Sequence, residues 1–188
     1  MSSIFSDPFF RRGSTLLSGE KIEVDNSGNP IAGTEVVGQV KAFQDVNPVG
    51  AGERYSNRLV YCIAVRYKGG NVTDASTVAG QLYTLNAGLT DIQNKTASAD
   101  VDAGKQFGVL DDYLTGELRT NDIVWLVVKG PAKLTSSGAI TAGSMVGNLD
   151  ATAGTVATQS GTTSDAIGQA IAAAASNKVR VNLKCDFI

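Results

Sequence analysis

The chain has 188 residues, of which 16 are basic, 18 are acidic and none is histidine. Its net charge of −2 is unlike that of the strongly basic domains that bind nucleic acid through phosphates. The lack of histidine excludes Ser-His-Asp and Cys-His nucleophiles and His-ligated zinc. No apolar run reaches the about 18 residues that span a bilayer, and no secretory signal pattern opens the chain. We therefore expect neither nucleic acid nor membrane as a partner.

Residues 1–20 lack the period of a helix or a strand but carry several large apolar side chains. Phe5, Phe9 and Phe10 precede the basic pair Arg11 and Arg12. The pattern predicts an extended N-terminal arm. Aromatic and arginine side chains are the usual anchors of protein interfaces, so these five residues are the candidate partner contact. The alternative is that the phenylalanines fold back onto the protein's own core.

The first half of the chain predicts few but clear strands. Residues 36–43 form one, and residues 59–67 form another whose two faces are both largely apolar, so it should be covered on both sides. Residues 72–105 are polar and weakly periodic, as in a long loop that contains a short strand at 82–85.

The second half has a more regular pattern of short strands and turns. Strands are predicted at 107–110, at 123–128 as a fully buried apolar run, within 139–146, and at 179–187 with strict alternation. The segment 164–176 is ambiguous, because its alanines favour a helix while a strand at 167–172 fits a β-barrel better. The strand is the preferred interpretation.

No constellation of residues points to catalysis, and no metal, cofactor or small-molecule site is predicted. The chain contains no GxxxxGK[ST], GxGxxG or GxSxG motif. The close carboxylates, Asp111 with Asp112 and Asp100 with Asp102, lie in turn-like stretches where solvated aspartates are the rule. Cys62 and Cys185 are expected to be buried thiols, with a single disulfide as the alternative.

These patterns predict a mainly β protein, a small antiparallel β-barrel or sandwich with an extended N-terminal arm and long loops. Residues 1–20 form the arm, and residues 21–188 form one β-rich domain whose barrel-like part covers about residues 107–188. Glycine at 21 positions, with only 6% aromatic residues, is typical of many short strands joined by turns.

The order of segments after residue 107 resembles a known family. The segments are FGVL at 107–110, LRTNDIVWLVVKG at 118–130, ITAGSMV at 140–146, IGQA at 167–170 and VRVNL at 179–183. This series resembles the structural cement, or head decoration, proteins of tailed bacteriophages, although Asn121 stands where their pattern often has glycine. The resemblance covers a little under half of the chain.

The resemblance implies a virion protein that binds the outer surface of an icosahedral capsid and bridges major capsid subunits, often as a homotrimer. It implies the major capsid protein and further copies of itself as partners, synthesis in the host cytoplasm, and no enzymatic activity. Two other functions stay open. A tail-tube subunit would use residues 72–105 as a long loop, and a carbohydrate-binding or hydrolytic module would need an exposed aromatic platform or a carboxylate pair.

Overall fold

The computed structural model describes residues 37–44, 59–96, 105–111, 114, 116–147, 152–159 and 166–184. The predicted arm at 1–20, Cys185, and the aspartates at 100, 102 and 112 lie outside these residues. The strands are β1 Val40–Gln44, β2 Leu59–Tyr67, β3 Leu82–Leu85, β4 Asp91–Lys95, β5 Phe107–Leu110, β6 Ile123–Thr135, β7 Met145–Gly147, β8 Ala157–Thr158, β9 Gly168–Ala170 and β10 Lys178–Leu183. A short 3₁₀ turn at Ala75–Thr77 precedes β3. None of the helical segments in the described part is long and apolar enough to cross a membrane.

Five strands are linked in a small ring, which we call the barrel. β6 pairs with β2 and β5, β5 pairs with β3, β3 with β4, and β4 returns to β2. The pairings are antiparallel except for the parallel contact between β2 and β4. β1 adds to the outside of the ring along β2. The barrel draws on residues 59–129, so strands on both sides of residue 107 share it.

β6 continues beyond the barrel and begins a second sheet. From Gly130 onward it pairs with β10, which is followed in the sheet by β9, β7 and β8. The change of partner coincides with an irregularity, because Tyr61 lies opposite Lys129 but Cys62 lies opposite Val127. A β-bulge of this kind bends a strand and re-aims its side chains. One 13-residue strand therefore belongs to both halves of the fold.

β2 and β6 are buried on both faces, as the sequence predicted for β2. One face of each strand points into the barrel, where Ile63, Val65, Val124 and Leu126 meet a common core. The opposite face, with Cys62 and Trp125 among its residues, packs in a second core together with side chains of the second sheet. The prediction of a buried run at 123–128 is confirmed, and Trp125 within it is only 3% exposed.

The predicted fold class is confirmed, and several boundaries differ. The apolar run at 123–128 is the first half of β6, which passes through Gly130 and Pro131 because the bulge and the pairing with β10 accommodate them. In the ambiguous segment, the described residues form strand β9 followed by a turn. Residues 72–96 contain the 3₁₀ turn and strands β3 and β4 of the barrel wall, where the sequence indicated mostly loop.

Candidate interaction surface

The residues that the sequence singles out as a partner contact, Phe5, Phe9, Phe10, Arg11 and Arg12, lie outside the described residues. Their role stays a prediction. Among the surface clefts of the described residues are two, on different sheets, that the sequence did not point to. One lies beside the β3–β4 hairpin of the barrel, and the other lies on the outer face of β6 and β10.

The first cleft is polar and is organised by the turn between β3 and β4. It has a volume of about 310 Å³ and is lined by residues that include Lys68, Asn86 and Asp91. The Asn86 side chain fixes the turn, because its Oδ1 accepts from Thr90 N at 2.9 Å and its Nδ2 donates to Asp91 Oδ2 at 3.0 Å. The Lys68 ammonium donates to Asn121 Oδ1 at 2.7 Å. The Asn86 bonds hold the turn, and the Lys68–Asn121 bond holds the lysine beside it. The polar groups of the cleft therefore have partners within the protein.

The second cleft is cationic, and we call Lys133, Lys178 and Arg180 the basic cluster. Arg180 lies directly opposite Lys133 in the β6–β10 register, and Lys178 lies opposite Thr135. Alternate residues of a strand share a face, so Lys178 and Arg180 point the same way, about 7 Å apart. All three side chains are half-buried. Strand pairing thus concentrates three positive charges at one spot.

Lys178 also ties this face to the barrel. Its ammonium donates to Ala79 O at 2.6 Å and to Thr135 Oγ1 at 3.1 Å. Ala79 follows the 3₁₀ turn, and its side chain is part of the barrel core. The hydrogen bonds fix the Lys178 side chain across β6, and its charge stays beside those of Lys133 and Arg180.

Small residues form the wall of the cationic cleft. The cleft has a volume of about 400 Å³, and Ala172, Ala173, Ala175 and Ser176 line it together with the basic cluster. The wall ends in a two-residue hairpin loop closed by the bonds Ala175 N to Lys178 O, 2.8 Å, and Lys178 N to Ala175 O, 2.9 Å. Ser176 and Asn177 have φ angles of 50° and 58°, as in the type I′ turns that match strand twist. The wall is therefore held by backbone hydrogen bonds.

Asp111, the one carboxylate of the predicted close pairs that lies in the described part, is placed differently from what the sequence suggested. Asp111 was expected to be solvated, but it is only 3% exposed, and its backbone oxygen accepts a hydrogen bond from Leu114 N. Asp122 is 7% exposed, and its Oδ2 accepts from Arg119 N at 2.7 Å, which closes the turn before β6. Within the described ranges, no three of the Cys, Asp and Glu side chains are grouped as a metal site would require.

The barrel interior contains a pair of buried tyrosines. The rings of Tyr67 and Tyr83 meet edge to face, with centroids 6.2 Å apart. Burial raises the pKa of both hydroxyls above the usual 10.0, and the neighbouring Tyr67 raises the pKa of Tyr83 further. Both tyrosines therefore stay neutral at physiological pH. Their contribution is to packing and hydrogen bonding, such as the bond from Tyr67 Oη to Gly70 O.

The basic cluster was not recognised from the sequence, although part of its signal was present. The alternation of residues 179–187 predicted that Arg180 points outward, and this is confirmed. The position of Lys133 opposite Arg180 depends on the pairing of β6 with β10, which no local pattern reveals. No family model matches this chain, and no curated protein matches it.

Proposed function

We propose that this chain is a structural virion protein, a capsid decoration protein that binds the outer surface of an icosahedral head and bridges major capsid subunits. It acts without catalysis, as a homotrimer on the capsid. A protein that binds the assembled shell, and not its separate subunits, stabilises the shell by its binding free energy. Many symmetric copies add their contacts, so modest affinity per site is sufficient.

The observation that supports this proposal is where the family-like segments lie in the fold. Four of the five segments fall in or next to β6, β7, β9 and β10, which are neighbours in one sheet. The fifth is β5, which pairs with β6. A series of turn and strand motifs that converges on one connected sheet is what a shared architecture would produce.

The fold of residues 72–96 bears on the alternative, a tail-tube subunit. That function would use a long loop for stacking into rings, and the sequence offered residues 72–105 for it. The described part of this segment, up to Thr96, is built into the barrel wall through β3 and β4. This removes most of the candidate loop, and the decoration function has the better support.

The first experiment is quantitative mass spectrometry of purified particles from the source. We expect copy numbers of this chain close to those of the major capsid protein. A much smaller ratio would favour a tail or minor structural role, and absence from particles would overturn the virion function.

The second experiment tests the predicted arm. Removal of residues 1–12 is expected to abolish co-sedimentation with capsids that lack the protein, while the circular dichroism spectrum and the melting temperature stay those of the full chain. Replacement of Arg11 and Arg12 alone by glutamine should weaken binding less. Unchanged binding after removal of the arm would show that the contact lies elsewhere.

A further inference from the structure

Strand β1 lies at one end of the strand order and, among the described strands, pairs with β2 alone. At the other end of the order, Val156 beside β8 returns to the end of β6 through a bridge to Ser136. The described strands therefore leave the outer edge of β1 open. An open edge is a place where a sheet accepts a further strand.

The register with β2 determines which backbone groups of β1 face outward. Ala64 N donates to Gln39 O at 2.9 Å, so the backbone groups of Gln39 point towards β2. Backbone groups alternate in direction along an antiparallel pair. Those of Lys41 therefore also point towards β2, whereas those of Val40 and Ala42 point away from it. The register has no irregularity along β1, so no bulge bends this edge away from a neighbour.

Apolar side chains are exposed on one face of the same edge. Val40 lies opposite Ile63 and Ala42 lies opposite Tyr61, so Val40 and Ala42 share the face that points to the barrel core. Leu59 belongs to this face too, because it alternates with Tyr61 along β2. Val40 is 43% exposed and Leu59 is 55% exposed, and they are two of the three large apolar side chains that are exposed in the described part. Exposed apolar surface of this kind indicates an interface.

A second copy of β1 is complementary to this edge. In a two-fold antiparallel arrangement centred on Ala42, Val40 of one copy lies opposite Gln44 of the other, and all five residues of β1 are paired. Outward-facing residues then meet outward-facing residues in three pairs, with about six hydrogen bonds. A two-fold register centred on any other residue leaves part of β1 unpaired. The register centred on Ala42 also places Lys41 opposite Phe43, so the two copies of Lys41 are not opposite each other.

Two copies joined in this way form one continuous sheet across the contact. The two-fold axis of an antiparallel pair is perpendicular to the sheet, so the same face points the same way in both copies. Val40, Leu59 and Tyr61 of both copies therefore lie on one shared face, with the two copies of Ala42 between the two copies of Tyr61. The small alanine side chains leave room for the strands to meet at the axis.

We infer that the outer edge of β1 is a contact between two copies of this chain, formed by antiparallel pairing of β1 with β1 of the second copy. The inference deepens the proposed function and rests on it for the place of the contact. An isologous contact has two-fold symmetry and does not close a trimer, so it joins neighbouring trimers across the local two-fold axes of an icosahedral shell. A five-residue strand gives modest affinity, which the high local concentration on a shell makes sufficient.

The first test is disulfide cross-linking of the full chain that carries Ala42→Cys, under mild oxidation. In the register centred on Ala42, the two Cα atoms of residue 42 are about 5.5 Å apart, which a disulfide spans. Val40→Cys is the matched control, because its two copies are four positions apart along the strands, or roughly 14 Å, beyond the reach of a disulfide. Both variants also carry Cys185→Ala, and Cys62 is buried.

We expect Ala42→Cys to give at least about five times as much disulfide-linked dimer as Val40→Cys. A mixture of Val40→Cys with Gln44→Cys should give a linked heterodimer, because these two positions are opposite each other. Equal yields from Ala42→Cys and Val40→Cys, or no dimer from either, would overturn the inference. Linkage of Ala42→Cys on particles to a different protein, and not to a second copy, would overturn the identity of the partner.

The second test measures self-association by sedimentation velocity over a range of protein concentrations. Ala42→Pro removes an N–H that faces outward, while the ladder bonds from Lys41 and Phe43 to β2 remain, so the melting temperature should change little. We expect self-association to weaken about tenfold. Ala42→Ser keeps the N–H and should change self-association by less than about threefold. Self-association unchanged in a folded Ala42→Pro variant would overturn the inference, and the cysteine variants test it independently of how the proline is tolerated.

The outcome is separable from that of the proposed function. Cross-linking at residue 42 in a protein absent from particles would keep the contact between copies and remove the capsid. Capsid binding at full copy number, with no cross-link at residue 42 on the particles, would keep the decoration function and remove this contact.

Discussion

The barrel and the second sheet are both built from β-strands, but they differ in how their strands pair and in the charges they carry. Each of the five strands of the barrel pairs with two neighbours in the ring. The second sheet runs from β6 through β10, β9 and β7 to β8, and Val156, just before β8, returns to the end of β6 through a bridge to Ser136. In the full sequence, residues 1–122 carry 11 basic and 15 acidic side chains, and residues 123–188 carry five basic and three acidic ones.

The two regions differ in what they supply: the barrel gives a rigid support, and the second sheet gives a charged surface. A closed ring leaves few strand edges and encloses a dry core, so it supplies a rigid support. The second sheet shares a core with strands β2 and β6 of the barrel, and β6 and β10 carry the basic cluster on the alternate residues. A like-charge pair is tolerable there because the core beneath it is shared with the barrel.

The junction between the two regions gives the largest expected effect. Gly130 has a φ of 96°, and a Cβ at this position would lie 2.4 Å from the backbone oxygen of Leu59. Gly130→Ala is therefore expected to cost at least about 3 kcal/mol in the free energy of unfolding, measured with urea. Gly143→Ala is the matched control, since Gly143 has a φ of 84° but no heavy atom within 4 Å of its Cβ position. The control should cost about 1 kcal/mol, and equal costs would mean that the close approach at the junction is unimportant.

Equivalent cavities in the two cores test whether the regions unfold together. Leu126 in the barrel core and Leu134 in the shared core are both fully buried. Each leucine-to-alanine substitution should cost about 2–5 kcal/mol. Because β2 and β6 contribute to both cores, we expect one transition, with Trp125 fluorescence and far-ultraviolet circular dichroism coinciding. If circular dichroism of the Leu134 variant changed at a lower urea concentration than Trp125 fluorescence, the second sheet would be a separate folding unit.

Alkaline pH should weaken the barrel specifically. The pKa values of Tyr67 and Tyr83 are raised in the folded state, so above pH 10 the unfolded chain loses protons that the folded chain retains. Stability is thus fully present below about pH 10 and falls above it, by up to about 1.4 kcal/mol per pH unit for each tyrosine. Tyr83→Phe should make this fall shallower in urea unfolding measured across the pH range. If stability falls as steeply with pH in the Tyr83→Phe variant as in the unchanged chain, the cause of the fall lies outside the tyrosine pair.

Removal of one charge from the pair Lys133 and Arg180 is expected to have the smallest effect on the free energy of unfolding. Lys133→Gln removes the cation opposite Arg180 and should raise the free energy of unfolding by about 0.2–1 kcal/mol. The gain should shrink in about 0.5 M NaCl, because salt screens the repulsion that is removed. Lys95→Gln, at an exposed position, should change stability by less than about 0.5 kcal/mol. A loss of stability in the Lys133 variant would show that this side chain has a structural role.

Local patterns predicted the strands whose own residues determine their environment. β2, β3 and β5 match the predicted bounds, because their apolar residues are continuous or alternate without interruption. β4 was missed, since its sequence DIQNK has one buried side chain and its position depends on pairing with β2 and β3. The length of β6 was underestimated because glycine and proline normally end a strand, and only the change of partner strand allows them here.

The candidate site was less predictable than the fold for a related reason. Lys133 and Arg180 are 47 positions apart along the chain, and they meet only through the register in which β6 pairs with β10. The arm at residues 1–12, which the sequence did point to, stays a prediction. Sequence reasoning singled out residues that are conspicuous alone and did not reveal a pair that only strand pairing brings together.

The continuity of β6 has a mechanical consequence. A pull applied at the cationic cleft along the direction of β6 passes into the barrel through the backbone itself. Hydrogen bonds between strands run perpendicular to them, so such a pull loads the bonds to β10 and β2 in parallel, and they have to break together. A pull across the strands would break them one after another. Under tension, this protein would therefore resist stretching best with β6 lying along the line of load.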